Sequence, residues 1–248
     1  LGVLGLAANA LLAFALRRGC RPSSFSAFSA LCVVRSLANC GTLFAFVAYS
    51  GPVAFFRSSL GPEWLGRKLG HLTTLTYKML VYVQLAVAVN RFTATFFPFK
   101  YSQMFGLRGT LVAVSLVLFV STLHCIPEFL PDCGYTFFYA NLSWEYLPTP
   151  CTDLLGGPLL YYPAYGVFLL SIILNVVILA KLTHDALVGS LSSYKLKEAK
   201  LRCEFRCSFK SFLQELMYIA ELILRNSLQP MTRFEYFLSY SLLWEWTH

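Results

Sequence analysis

The sequence predicts an all-α membrane protein, a seven-helix transmembrane bundle filling residues 1–248 as a single domain. Three observations carry this expectation. Of 248 residues, 57% are apolar and 13% charged, with a mean hydropathy of +0.60, whereas a soluble domain carries about 25% charged residues to keep its surface solvated. Seven apolar runs approach spanning length and are parted by polar or Gly/Pro-bearing breaks. Lys and Arg crowd into alternate connections between those runs. The net charge of +8 would suggest nucleic acid in a soluble chain, but in a chain solvated by lipid the placement of charge matters more than its sum, and no nucleic-acid partner is expected. Eight scattered Cys without a CxxC pair, and four His dispersed at positions 71, 124, 184 and 248, give no metal or cofactor site.

A helix needs about 20 residues, at 1.5 Å each, to cross the hydrocarbon. The first run, residues 1–16, stops at Arg17, Arg18, Gly19, Cys20, Arg21 and Pro22; it opens without Met or a charged leader, so the chain is read as a piece of something longer. The second, about 24–50, closes at Gly51 and Pro52. The third, about 71–91, ends before Pro98 and Lys100, and the fourth, about 110–126, stops at Pro127. A polar and aromatic stretch, 128–158, precedes the fifth run at about 159–182. After a basic connection comes the sixth, about 211–228, weakened by Gln214, Glu215, Glu221 and Arg225; the seventh starts near Phe234 and is cut at His248.

The alternate connections differ sharply in charge. One set holds thirteen Lys and Arg, among them Arg17, Arg18, Arg21, Arg91, Lys100, Arg108 and the basic run from Lys181 to Lys210; the other holds Arg57, Arg67, Lys68 and Arg233. Cytoplasmic loops keep the excess, which puts the N-terminal side outside and the C-terminal side inside. The long 128–158 loop falls outside. It carries a glycosylation sequon at Asn141, Leu142 and Ser143, and it is bracketed by Cys133 and Cys151, whose crosslink would be worth about 3 kcal/mol of unfolded-state entropy. Two free thiols are the alternative.

The inner end of the third run reads Val89, Asn90, Arg91, Phe92, with Pro98, Tyr101 and Phe105 close behind. This resembles the rhodopsin-like receptors, and most closely the nematode chemoreceptors called serpentine receptor class x, in which Asn-Arg-Phe takes the place of Asp-Arg-Tyr. Gly5 and Asn9 are similar to that family's first span. Phe25, Cys32, Ser36 and Asn39 match its second, Trp144 in the Cys-bounded loop its outer loop, and Phe212, Gln214, Leu243, Trp244 and His248 its last two spans. The resemblance implies a bundle of rhodopsin-like type in the plasma membrane, a G-protein-coupled receptor of chemosensory kind that takes an external small-molecule cue and activates a heterotrimeric G protein. It also implies that Arg91, flanked by Asn90 and Phe92, is the coupling switch. A guanidinium at an inner span end suits that role, because its fixed donors can change partners; an ordinary positive-inside anchor is the plainer reading. With Asn90 in place of Asp, an ion pair to Arg91 gives way to a neutral hydrogen bond.

Asn9, Asn39 and Asn175 are polar residues in spans, suited to interhelical hydrogen bonds worth about 0.6 kcal/mol each. Arg35, Lys78, Glu215 and Glu221 lie at membrane depth, where an unpaired charge costs about 2.5 kcal/mol or more, so each is expected to face the interior. Lys78 stands 13 residues outward of Arg91, roughly 20 Å. It is a candidate, with Tyr77, Tyr82, Tyr162, Tyr165 and Glu221, for lining a pocket for an acidic ligand; an internal salt bridge is the alternative. A seven-span transporter or channel would use the same charges as a polar path, but shows itself by paired halves, and none is evident. A degenerate, non-signalling paralogue is the other competitor. With no HExxH, GxSxG or phosphate loop, no enzyme is expected.

Overall fold

The computed structural model describes residues 2–19, 27–56, 63–130, 133–138, 143–154, 161–189 and Leu216. The first five expected spans fall within these residues, apart from positions 1, 24–26 and 159–160. The seventh, and the sixth apart from Leu216, lie outside them, as do Asn141 and Glu221.

Helix α1 (Gly2–Gly19) packs on α2 (Ala27–Ala45), and α2 packs on the long α4 (Glu63–Phe96). Small residues set the second contact: a Cβ on Gly41 of α2 would come within 2.6 Å of the Thr76 methyl on α4, so the helices approach closely only because none is there. The second span does not close at Gly51 and Pro52 as expected. Residues 46–50 form a π turn, in which the Gly51 N–H reaches the Phe46 carbonyl, and α3 (Gly51–Phe56) carries the span onward. Proline lacks an N–H and its ring collides with the carbonyl four residues back in a regular helix. Widening the preceding turn makes room for it.

Helix α4 is the hub, packing against α2, α6 (Leu107–Cys125), α8 (Tyr161–Gly189) and a strand of the outer loop. Short α5 (Pro98–Met104) turns the chain between α4 and α6, with Pro98 at its first position, where its missing N–H costs nothing. Helix α6 ends as Pro127 predicts, passing into a single 3₁₀ turn, Ile126–Phe129. Helix α8 runs beyond the expected stop near residue 182, and Lys181 pairs with Asp185 at 2.7 Å across its extra turns. Among the described residues, four helical stretches are long and apolar enough to cross a membrane, and Gly2–Leu16 is a shorter apolar helix. Leu111, Val112, Leu116 and Phe119 of α6 remain more than half exposed; a row of that size wants lipid rather than water against it.

The 128–158 loop is structured. Strands β1 (Tyr135–Phe138) and β2 (Ser143–Tyr146) form an antiparallel hairpin pairing Tyr135 with Tyr146 and Phe137 with Trp144, followed by the short helix α7 (Pro150–Leu154). An isolated hairpin is marginal; this one is fastened. Trp144 is almost fully buried among Ala45, Tyr49, Val53, Tyr135 and Phe137, and its indole N–H donates to Ser50 Oγ at 2.9 Å. A disulfide joins Cys133 to Cys151, with Cα atoms 5.5 Å apart. Gly70 of α4 lies directly under β1, where any Cβ would collide with the Tyr135 carbonyl.

Gly70→Ala is therefore expected to push the hairpin off α4 and destabilise the protein by about 2 kcal/mol, and Trp144→Phe, which strands the Ser50 hydroxyl, by about 1–3 kcal/mol. Thermal unfolding of the purified full-length protein checks both; a Gly70→Ala midpoint equal to the wild type would show that the hairpin is not seated on α4.

Candidate functional site

Two polar constellations lie along α4, one near its C-terminal end and one at its middle. At one end, Asn90 is 2% exposed and its amide donates to the Tyr101 hydroxyl of α5 at 3.1 Å. Arg91, half-buried, stacks its guanidinium over the Phe28 ring of α2 at 4.8 Å. Phe92 stacks on Phe96 with ring centroids 4.6 Å apart. The three consecutive residues thus reach three different neighbours: α5, α2 and the helix's own last turn. Asn90 makes a neutral hydrogen bond where an Asp would carry charge, so the contact to α5 is worth about 1 kcal/mol rather than the larger value of a charge-assisted one. Beside it α5 presents Phe99, 94% exposed, next to exposed Lys100. Sequence reasoning passed over Phe99, which shares its connection with Phe96, Phe97, Met104 and Phe105 and so carries no distinguishing signal in the sequence.

At the middle of the helix Lys78 is 3% exposed. Its ammonium donates to Glu128 Oε1 at 2.5 Å and to the His124 carbonyl at 2.8 Å. That carbonyl belongs to the last turn of α6, where intrahelical bonding leaves acceptors open and the helix dipole favours a cation. Glu128, in the 3₁₀ turn, is 1% exposed and also accepts from the Tyr146 hydroxyl of β2 at 3.2 Å. The Tyr82 hydroxyl lies 2.9 Å from His124 Nδ1. A helix, a helix end and the outer-loop hairpin thus converge on one buried ion pair.

Of the expected pocket residues, Tyr77, Lys78 and Tyr82 line a narrow cleft with Val81, His124 and Ala164, and Tyr165 packs beside it with Tyr77, Val81 and Phe168. Tyr162 does not join them. It is 70% exposed on the first turn of α8, beyond the packed part of that helix. Glu128, the partner of Lys78, opens the 128–158 stretch expected to be an outer loop; the 3₁₀ turn swings it inward instead. Arg35 is half-buried on α2 and makes no ion pair among the described residues, contrary to the expectation that it finds one; a long side chain can carry its charge out of the apolar layer.

Weaker polar contacts join or stiffen the helices elsewhere in the bundle. Asn39 donates to Asn9 across α2 and α1 at 3.1 Å, and the Thr42 and Thr76 hydroxyls meet across α2 and α4 at 2.7 Å. Asn175 donates to the Ser171 carbonyl of its own helix at 3.1 Å. Among the described residues no group of His, Cys, Asp and Glu could hold a metal ion.

Comparison with known proteins agrees with this architecture. The chain is 23% identical, over 228 residues, to serpentine receptor class X 45 of Caenorhabditis elegans, a match covering 89% of this chain and 62% of that relative's length. Its fold is similar to that of squid rhodopsin in its crystal structure, with a TM-score of 0.77 at 13% identity over 99% of this chain and 71% of that one. The model of the family described as serpentine type 7TM GPCR chemoreceptor Srx matches residues 1–248 from end to end, and the chain belongs to that family.

Proposed function

We propose that the protein of which this chain is part is a chemosensory G-protein-coupled receptor of the plasma membrane. Its hairpin end faces outward and receives a small-molecule cue; its Arg91 end faces inward and activates a heterotrimeric G protein. The observation that carries this reading is the arrangement of α4, a single helix with a buried, loop-tethered cation site at its middle and the Asn90-Arg91-Phe92 triplet near its C-terminal end. Lys78 and Arg91, 13 residues apart, are roughly 20 Å from one another on a nearly rigid rod, so a change in what Lys78 holds is transmitted as a shift of the helix carrying Arg91. A cue moves the bundle only by preferring one of its arrangements.

The orientation is supported by the charge asymmetry of the connections and by the Cys133–Cys151 disulfide, which belongs to an oxidising compartment. Asn141 lies in the same loop. Full-length protein made in eukaryotic cells is expected to lose mass on glycosidase treatment, and Asn141→Gln to abolish that loss; a glycan on the opposite set of connections would reverse the assignment.

The coupling end has its own test. Nucleotide exchange on co-expressed G proteins, at matched surface levels, is expected to fall to background in Arg91→Glu and by about tenfold in Phe99→Ala, a loss typical of an exposed aromatic anchor. Equal exchange in wild type and Arg91→Glu would remove Arg91 from the coupling surface.

A further inference from the structure

Glu128 is held by one oxygen. Its Oε1 accepts from Lys78 and from Tyr146, while Oε2, in a side chain 1% exposed, meets no donor. Buried carboxylates ordinarily have both oxygens answered, and an ion pair with one bare oxygen recovers less of the cost of leaving water. His71 is in a similar state. It is 9% exposed and neither ring nitrogen has a hydrogen-bond partner. Its ring lies 4.5 Å from that of Phe129, the residue after Glu128, within reach of the Glu128 charge. His71 and Lys78 are seven residues apart on α4, two turns on one face. The carboxylate of Glu128 therefore has one filled partner and one unfilled partner on the same stripe of the same helix.

Lys78 also lines the cleft with Tyr77, Val81, Tyr82, His124 and Ala164, whose free space of about 10 Å³ holds about one water, so that a larger occupant needs the room Glu128 leaves as it turns away; the ammonium has three protons, of which Glu128 and the His124 carbonyl take two. We propose that Glu128 is an internal stand-in for the cue, and that the cue carries a carboxylate. A ligand carboxylic acid entering the cleft passes its proton to Glu128 and, as the carboxylate, takes the Lys78 ammonium. Glu128 then turns toward His71, and Tyr146, bonded to the same Glu128 oxygen, carries the hairpin with it. This inference rests on the receptor reading above and names its ligand class.

Charge decides between ligand classes. With the proton passed to Glu128, exchanging one carboxylate for another leaves Lys78 paired throughout and buries no second charge. A neutral ligand in the same place would leave the ammonium bare, and a cation would be repelled by it. Phosphate brings more charge and more acceptor oxygens than Lys78 and the Tyr82 hydroxyl can answer.

The test uses the purified full-length receptor in detergent. Its thermal unfolding midpoint is titrated with straight-chain carboxylates of two to eight carbons, against the matching alcohols and amines and inorganic phosphate. Carboxylates alone are expected to raise the midpoint. Glu128→Gln, which removes the internal competitor, lowers the half-saturating concentration by about tenfold or more, a shift of the size measured for close charge pairs. Glu128→Asp, which keeps the charge on a shorter arm, shifts it the same way by less and serves if the Gln variant does not fold. Lys78→Met abolishes the response. Half-saturation unchanged in both Glu128 variants, a response retained in Lys78→Met, equal stabilisation by the alcohols, amines or phosphate, or no carboxylate response in any variant would each overturn the proposal. No G protein takes part, so failure here leaves the exchange assay on Arg91→Glu intact, and failure of that assay leaves carboxylate binding intact.

Discussion

A lysine and a glutamate, each almost wholly removed from solvent, face one another between α4 and the end of α6, and neither could remain charged there alone. Removing one member of such a pair costs about 3–5 kcal/mol, most of it the penalty of leaving the other charge uncompensated. Three pieces of chain are bound to that constraint. Pro127 must end α6 where it does, so that the 3₁₀ turn delivers Glu128 inward and the His124 carbonyl stays open to the ammonium. Tyr146 must come from β2, which requires the hairpin to sit on α4, which in turn requires Gly70 beneath the Tyr135 carbonyl. The outer loop is thus part of the bundle's polar interior.

The C-terminal end of α4 is built from softer interactions. Asn90 reaches α5 through a neutral hydrogen bond, and Arg91 lies over the Phe28 ring. A cation over an aromatic face is worth about 0.5–2 kcal/mol depending on desolvation. Breaking the ion pair by removing one partner costs more than losing any one of these contacts, because a buried charge is then left bare. One helix therefore carries a site that is costly to break at its middle and exchangeable contacts near its C-terminal end, and a disturbance at either biases the other by the same coupling free energy.

Much of this was legible in the chain. The first five spans, the stop at Pro127 and the charge asymmetry follow from local composition, which lipid constrains more tightly than water does. The continuation of the second span through Gly51 and Pro52 was not legible, because a single π turn absorbs the proline without a composition signal. Nor was the hairpin: its strands are four residues each, and their aromatic pairs are fixed by Ser50 and Gly70, distant in sequence. The site was read in halves. Lys78 was visible as a charge at membrane depth, with an internal salt bridge weighed against a ligand. Its partner, 50 positions away, looked like an ordinary loop acid, since a residue just past a proline stop has no periodicity to show which way it points. Tyr162 and Tyr165 looked equivalent by spacing; only the extent of packing along α8 separates them.

The layer around Lys78 sets how freely α4 moves. Asn39 with Asn9, and Thr42 with Thr76, are interhelical hydrogen bonds in an apolar layer, and such bonds average about 0.6 kcal/mol because the alternatives within a bundle also find partners. At about RT each, they hold register without locking it. Gly41 against Thr76 adds a close backbone approach that permits sliding along the helix axis more readily than separation. A bundle whose buried ion pair sits beside such exchangeable bonds answers a change at the pair by shifting α4 as a unit, because those bonds offer too little resistance to absorb the change locally.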